Sequence, residues 1–288
     1  MDKQNGNTII YEIGKIAVDG YYDYQSIRLA QMNRIRDVVR RKKEGIPFDK
    51  PEEEKLEKTH EKKYTDRQFI DMLKELQTKG DITEEENIYI SKLCKLADET
   101  EKTEERYKTL MDQYLQHEPL WNQWLTHIKG ISSVLSSNLI KNFNYCETYP
   151  HISSMWKHTG YDPDGAKGRK KGETIHYNPK LKTLIWKIGD SFIKQRTPTY
   201  RQIYDTEKDR QLLLIENEAE NAPKSKLHAD LRARRKMMKI FMQHYWLIGR
   251  TIKGVPVSNP YQHDHLGHTH FIEPPHYPEY LDKPWKTK

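Results

Sequence analysis

Apolar residues along most of this chain return at three- and four-residue steps, the spacing of one face of an α-helix. From Asp23 to Glu44, Tyr24, Ile27, Ile35 and Val38 make such a stripe, interrupted by the polar Gln31, and Gly45 followed by Pro47 ends it. Thr65 with Gln68, and Thr83 with Glu86, have the spacing at which a hydroxyl and a side-chain carbonyl oxygen satisfy free backbone donors reciprocally, so two further helices are predicted to start there. The first carries Phe69, Leu73 and Leu76 on one face and stops at Gly80. In the second, Tyr89, Leu93, Leu96, Thr100, Thr103, Tyr107, Leu110 and Tyr114 alternate steps of four and three, the repeat that drives supercoiling. Two threonines weaken that seam, which serves either an intramolecular helical hairpin or a homodimer through the 84–117 helix.

Pro119 suits the first turn of another helix, where its missing donor is not wanted, and Trp121, Trp124, Leu125 and Ile128 supply the buried face. Asn178 and Pro179 open a helix striped with Leu181, Leu184, Ile185, Ile188 and Phe192. Another begins after Pro198, and a last one, from His228 to Ile252, shows Leu231, Met238, Phe241, Tyr245 and Ile248 on one side. The segment Asp49 to Lys63 is almost entirely charged and reads as a solvated linker. A weak strand pattern at Thr8 to Val18 is the only β signal. The expected fold is therefore all-α: a helical bundle with a long heptad-like helix, a helix-hairpin-helix domain and a Pro/His-rich C-terminal tail. The expected division is an N-terminal helical region at 1–118, the hairpin domain at 119–254 and the tail at 255–288.

Charge changes this picture moderately. Lys plus Arg number 49 against 42 Asp plus Glu, a formal net charge of +7 that favours an anionic partner without requiring one. No window approaches the roughly 20 apolar residues needed to cross a bilayer, and Met1 to Thr8 is too polar for a secretory signal. Cys94 and Cys146 are too few and too isolated for a disulfide framework or a thiolate metal site. A cytoplasmic, nucleoid-associated protein without a membrane partner is expected.

The sharpest local signal is Ile128, Lys129, Gly130, Ile131, Ser132 and Ser133, followed by Val134, Leu135 and Leu139 in helical spacing. It reads as a helix-hairpin-helix. A glycine-containing bend lets backbone N–H groups and the start of the next helix face one phosphate, where unpaired donors and the helix dipole favour an anion. Such a contact recognises the nucleic-acid backbone and reads no base. Ser132 stands where a second glycine is usual, and Lys129 where a proline is usual; an ordinary helical turn with a serine cap has the same local pattern.

The order of features that follows, Leu139 to Phe143, then Tyr149 to Gly160 ending in Trp156-Lys-His-Thr-Gly-Tyr161-Asp-Pro163, resembles the C-terminal domain of the DEDD insertion-sequence transposases guided by bridge RNA. By that resemblance Gly160-Tyr161-Asp162-Pro163 stands for the family's turn, Gly165 to Gly172 for its glycine-rich basic loop, Asn178 to Ile193 for the next helix and Arg232 to Trp246 for the closing helix. The resemblance spans roughly half the chain, at the level of order and a few motif positions. It implies DNA binding, with structured RNA as an alternative ligand. The departures matter equally. Members place a nucleophilic serine before a glycine in that loop, whereas Gly165-Ala166-Lys167-Gly168 holds none; Thr174 lies nearby without the motif around it. Members also begin with a RuvC-like domain bearing four metal-binding acids, and residues 1–118 show no such run of strands, Asp19 after Ile16 to Val18 being isolated. Without clustered carboxylates to hold metal ions, no strand transfer by this chain alone is expected, and no cofactor.

Two basic clusters complete the candidate interface. Arg34, Arg36, Arg40, Arg41, Lys42 and Lys43 load the end of the first helix, either to track phosphates or to complement the macrodipole as a solvated helix end. Lys167, Arg169, Lys170 and Lys171, set between Gly165, Gly168 and Gly172, form a cationic loop suited to ordering on nucleic acid. Arg232, Arg234, Arg235, Lys236 and Lys239 wrap too far around their helix to make one stripe. In the tail, His263, His265, His268, His270 and His276 with Asp264 invite a metal, but His-x-His pairs in a loop without cysteine fix no geometry, and packing histidines are the simpler reading. The expected function is non-catalytic DNA binding through Lys129–Ser133, the basic loop and Arg36, Arg40 and Arg41. An RNA-binding role, a nuclease or recombinase, and a helical scaffold are the alternatives.

Overall fold

The computed structural model describes residues 3–46, 66–166, 172–258 and 271–281. Among them there are nine α-helices and no strand. They are α1 (Lys3–Glu44), α2 (Asp66–Lys79), α3 (Glu84–Leu115), α4 (Pro119–Gln123), α5 (Ser133–Phe143), α6 (Ile152–Thr159), α7 (Pro179–Gln195), α8 (Tyr200–Glu216) and α9 (Lys226–Lys253). The protein is all-α, and no helix among the described residues is long and apolar enough to cross a membrane. The charged segment from Asp49 to Lys63 lies outside the described residues.

The strand pattern at Thr8 to Val18 is overturned: those residues are helical, and the first helix begins at Lys3 rather than near Asp23. Burial explains why. Ile9, Ile13 and Ile16 are exposed, whereas Gly14, Ala17 and Val18 are buried, a three-and-four spacing that only a helix brings to one side. Gly14 admits the Tyr114 ring against the helix backbone; a Cβ there would lie 2.7 Å from the ring.

The chain divides into two compact units, with boundaries inside α1 and α3. Residues 16–110 form the smaller unit. Its core joins Ile35 and Val39 of α1 to Phe69, Met72 and Leu76 of α2, with Ile82 and Ile90. α1 and α3 run antiparallel here: Tyr24 stacks near Tyr107 at 5.6 Å, the Arg28 guanidinium donates to the buried Glu104 carboxylate at 2.5 Å, and Lys42 meets Glu86 at 2.8 Å. The capping box before α3 forms as expected, with Thr83 N–H donating to Glu86 Oε2 (2.8 Å) and Glu86 N–H to Thr83 Oγ1 (3.1 Å).

Residues 1–15 and 111–288 make the other unit, which is organised around α9. α8 and α9 pack as a helical hairpin, and α9 also meets α4, α6 and α7. Phe241 sits among the rings of Trp124 (6.0 Å, stacked), Phe192 (5.2 Å, edge-on) and Tyr200 (5.5 Å, edge-on). Farther along, the Trp246 indole donates to the Tyr149 carbonyl at 2.7 Å, and the buried Arg250 guanidinium donates to the carbonyls of Cys146, Tyr149 and Pro256. The tail segment 271–281 is tied to this core: the Trp124 indole donates to Pro275 O at 2.9 Å, and His276 lies beside His127. His263, His265, His268, His270 and Asp264 lie outside the described residues.

His244 shows how fully α9 is enclosed. Its Nε2 lies 2.8 Å from Ile272 O, which can only accept, so Nε2 carries the proton and Nδ1 accepts from the Tyr200 hydroxyl at 3.0 Å. Burial pushes the imidazole down to about 4, the bond to Ile272 O only partly opposing it. A depressed histidine pKa means that the unfolded chain binds the extra proton below pH ~6.5, so stability is retained above that value and declines as pH falls toward 4. Urea unfolding across this range should show a loss on the order of 2–3 kcal/mol that is absent from His244→Gln, which cannot titrate. Parallel pH profiles for the two proteins would refute the assignment.

Candidate nucleic-acid interface

Residues 124–135 form the bend that the sequence singles out. A 3-10 turn at Leu125–His127 follows α4, and the chain reverses at Gly130, whose φ of +90° favours glycine. Ile128 and Ile131 flank it as buried anchors, and the Ile131 N–H closes the bend on Ile128 O at 3.2 Å. Ser132 then caps α5, its hydroxyl accepting from Leu135 N–H at 3.4 Å. The Lys129 and Ser132 side chains are exposed, and Ser133 is half-buried.

The back of the bend is fixed by residues that sequence inspection does not single out. Ser191 Oγ donates to Gly130 O at 2.6 Å, and Thr197 Oγ1 donates to Lys129 O at 2.8 Å. A Cβ on Gly130 would lie 3.1 Å from Thr197 Oγ1 and 3.2 Å from Ser191 Oγ, tighter than these neighbours ordinarily tolerate. Both carbonyls are thus turned toward the end of α7. Arg196, exposed and in left-handed conformation at φ +51°, lies between Gln195 and Thr197, both of which approach Gly130. No local pattern marks Ser191, Arg196 or Thr197, because their partners lie more than sixty residues away.

The glycine-rich loop is braced at both ends. Gly160 ends α6 at φ +70°, with the Tyr177 ring packed against it. Asp162 accepts from Gly165 N–H and from His176 Nε2, both at 3.1 Å, while Lys182 Nζ donates to Gly165 O at 2.8 Å and lies over the Tyr177 ring. Burial opposes the Asp162 charge, but the His176 and Gly165 donors outweigh it and hold its pKa below the usual carboxylate value. Asn178 caps α7 by accepting from Lys180 and Leu181 N–H groups. Lys167, Arg169, Lys170 and Lys171, which this bracing spans, lie outside the described residues.

The remaining cations are distributed among partners. Arg40 and Arg41 both bind Asp37, at 2.5 and 2.9 Å; Arg40 also reaches Glu44 at 3.7 Å, and Arg41 is buried. Arg36 is half-buried beside Asn33, Lys42 binds Glu86, and Lys43 binds Glu75. Burial raises the Asp37 pKa, yet the two arginine hydrogen bonds prevail and lower it; Glu75, between Lys43 and Lys79, is drawn down to about 2. On α9, Arg232 turns to Gln211 and Asn221 O, Arg234 to Asp230 and Asp190, Arg235 to the carbonyls of Asp162 and Gly160, and Lys236 to Glu207. Lys239 lies 3.9 Å over the Trp156 ring, where burial and then the nearby Arg235 charge lower its pKa. Among the described residues, no group of three His, Cys, Asp or Glu side chains is placed to hold a metal ion.

Among the described residues the protein is all-helical, and its bend at Gly130 joins a 3-10 turn to α5. No protein-family model, curated protein or solved structure matches the chain.

Loss of either hydroxyl leaves a bend carbonyl without its partner, which costs about 1 kcal/mol per bond. Ser191→Ala and Thr197→Val should therefore accelerate amide hydrogen exchange at residues 131–135 while leaving exchange in α9 unchanged. Equal protection in the variants and the parent would show that α7 does not hold the bend.

Proposed function

We propose that this chain is a non-catalytic DNA-binding protein, related to the C-terminal domain of the insertion-sequence transposases, that grips the sugar-phosphate backbone of duplex or branched DNA with little sequence preference. The observation that carries this reading is the bend at Gly130: its two carbonyls are turned toward Ser191 and Thr197, and the eleven-residue α5 starts directly after it behind the Ser132 cap. Backbone N–H groups at a helix start, with the dipole behind them and cations beside them, make a phosphate site. Arg196 adds a guanidinium suited to phosphate oxygens. The basic loop at 167–171 is assigned to the same ligand on the sequence pattern alone. Arg36, Arg40 and Arg41 contribute less, since Asp37, Asn33 and Glu44 already engage them.

Titration of unrelated DNA duplexes at several salt concentrations tests the reading. Lys129→Glu with Arg196→Glu should weaken binding to every sequence and lower the salt slope by about 1 for each phosphate that is no longer neutralised. Unchanged affinity and slope, or a weakening confined to one sequence, would overturn it. Competition with an RNA duplex of equal length decides between DNA and RNA, and stronger binding to RNA would replace the DNA assignment.

A further inference from the structure

α3 carries two stripes, of which the fold covers one fully and leaves the N-terminal part of the other open within the small unit. Ile90, Ala97 and Glu104, seven residues apart, are buried, Ile90 in the cluster with Ile35 and Val39 of α1 and Glu104 on Arg28 of α1. The stripe beside them stays open: Tyr89, Leu93 and Leu96 are 58 %, 49 % and 51 % exposed, and Val38 faces them from α1 at 45 %. Two adjoining grooves, of about 230 and 220 Å³, run between these residues and share Val38, Ile90 and Leu93. The repeat runs on at steps of four and three through Thr100, Thr103 and Tyr107, where Thr100 meets Gln31 and Tyr107 meets Tyr24 of α1, to the exposed Leu110, a spacing that a second helix matches.

The charges beside the stripe identify the helix. On its flank away from α1, every seventh residue is charged and the sign alternates: Glu85, Lys92, Glu99, Arg106, all exposed. A parallel copy of α3 would set these against the positions of Ile90, Ala97 and Glu104, which α1 already covers. An antiparallel copy sets them against one another. In the register that packs Leu93 on Leu96 of the second copy, Lys92 meets Glu99 and Glu85 meets Arg106, each twice by symmetry. Sliding by one heptad in either direction aligns like charges instead, Lys92 with Lys92 and Glu85 with Glu99, or Lys92 with Arg106 and Glu99 with Glu99.

We propose that the open face of α3 is the seam of an antiparallel homodimer, in which Leu93 and Leu96 of two copies interlock and the Glu85–Lys92–Glu99–Arg106 series fixes the register. The overlap of residues 85–106 is about 33 Å long at the rise of an α-helix. With α1 lying beside α3 in each copy, the two pairs form a four-helix arrangement, and Val38 lies at the groove between α1 and α3.

Analytical ultracentrifugation of the full-length chain over a range of concentrations should show a monomer–dimer equilibrium. Leu93→Glu with Leu96→Glu should give monomers of unchanged far-ultraviolet circular dichroism, because both side chains are half exposed in one copy. Lys92→Glu should weaken the dimer on the order of tenfold, and the exchange Lys92→Glu with Glu99→Lys should restore it. Restoration is the outcome that a merely local role of these residues would not produce. A chain that stays monomeric at every concentration, a dimer that survives the leucine substitutions, or a charge exchange that behaves like Lys92→Glu alone would each overturn the proposal.

Discussion

The enclosure of α9 between Phe241 and Arg250 is the constraint from which the larger unit follows. Over this stretch every residue but Gln243 is buried, so each turn of the helix needs a neighbour. Trp124 just after α4, Phe192 from α7 and Tyr200 from α8 meet at Phe241. The polar groups of the same stretch are matched with equal completeness: His244 is bonded through both nitrogens, Trp246 through its indole, and Arg250 through three carbonyls. Buried donors without acceptors would each cost about 1–3 kcal/mol, so these bonds fix where the loop after α5 and the chain after α9 must run. α7 is held against this helix, with Gly189 allowing the close approach of Met238, and α7 in turn holds the bend at Gly130.

Net charge is a poor guide to where this protein can meet an anion. The excess of seven positive charges invites the densest basic runs, yet those at the end of α1 and along α9 are the ones most fully engaged with neighbouring groups. An arginine shared with a carboxylate at 2.5–2.9 Å must give up that partner before it can bind phosphate. Glu207 makes the point sharply. Burial opposes its charge, but Arg210, Lys236 and Gln211 hold its pKa near 2, so Lys236 serves the α8–α9 hairpin. Lys129 and Arg196, single cations outside those runs, are exposed, Lys129 next to the Gly130 bend and Arg196 at the end of α7.

Local chemistry is the most legible part of the sequence. Thr83 with Glu86, Pro119, Asn178 with Pro179, and Gly130 with Ser132 each determine backbone geometry within a few residues, and each does in the structure what its pattern implies. The N-terminal part of α1 is not legible, because Ile9, Ile13 and Ile16 point outward and the buried side joins Val18 to Gly14 and Ala17, too small to register as an apolar stripe. The heptad of α3 is legible as a repeat, but only Thr100 and Tyr107 of it meet α1, and the most buried face is the neighbouring stripe of Ile90, Ala97 and Glu104. A charged residue at 104 conceals that stripe until Arg28, seventy-six residues away, is seen to match it. The hydroxyls of Ser191 and Thr197 are likewise invisible as site residues, since their role is defined only by what they touch.

The bend at Gly130 also poses an electrostatic problem, which the end of α7 resolves. A helix C-terminus carries partial negative charge and free carbonyls, and α7 ends close to the place where an anion would bind. Left uncompensated, that end would disfavour the anion site proposed at the start of α5. Its carbonyls are instead taken up: Phe192 O accepts from Thr197 N–H at 3.0 Å, and Ile193 O accepts from the Arg201 guanidinium at 2.9 Å. Arg201 is itself held by Asp205, which fixes it as a capping group, while Arg196 in the left-handed position directs the chain away from the helix and adds a positive charge at the terminus. The residues that tie the bend to the core therefore also satisfy the end of α7, so support of the bend and compensation of that helix's dipole are two consequences of the same short segment, 191–201.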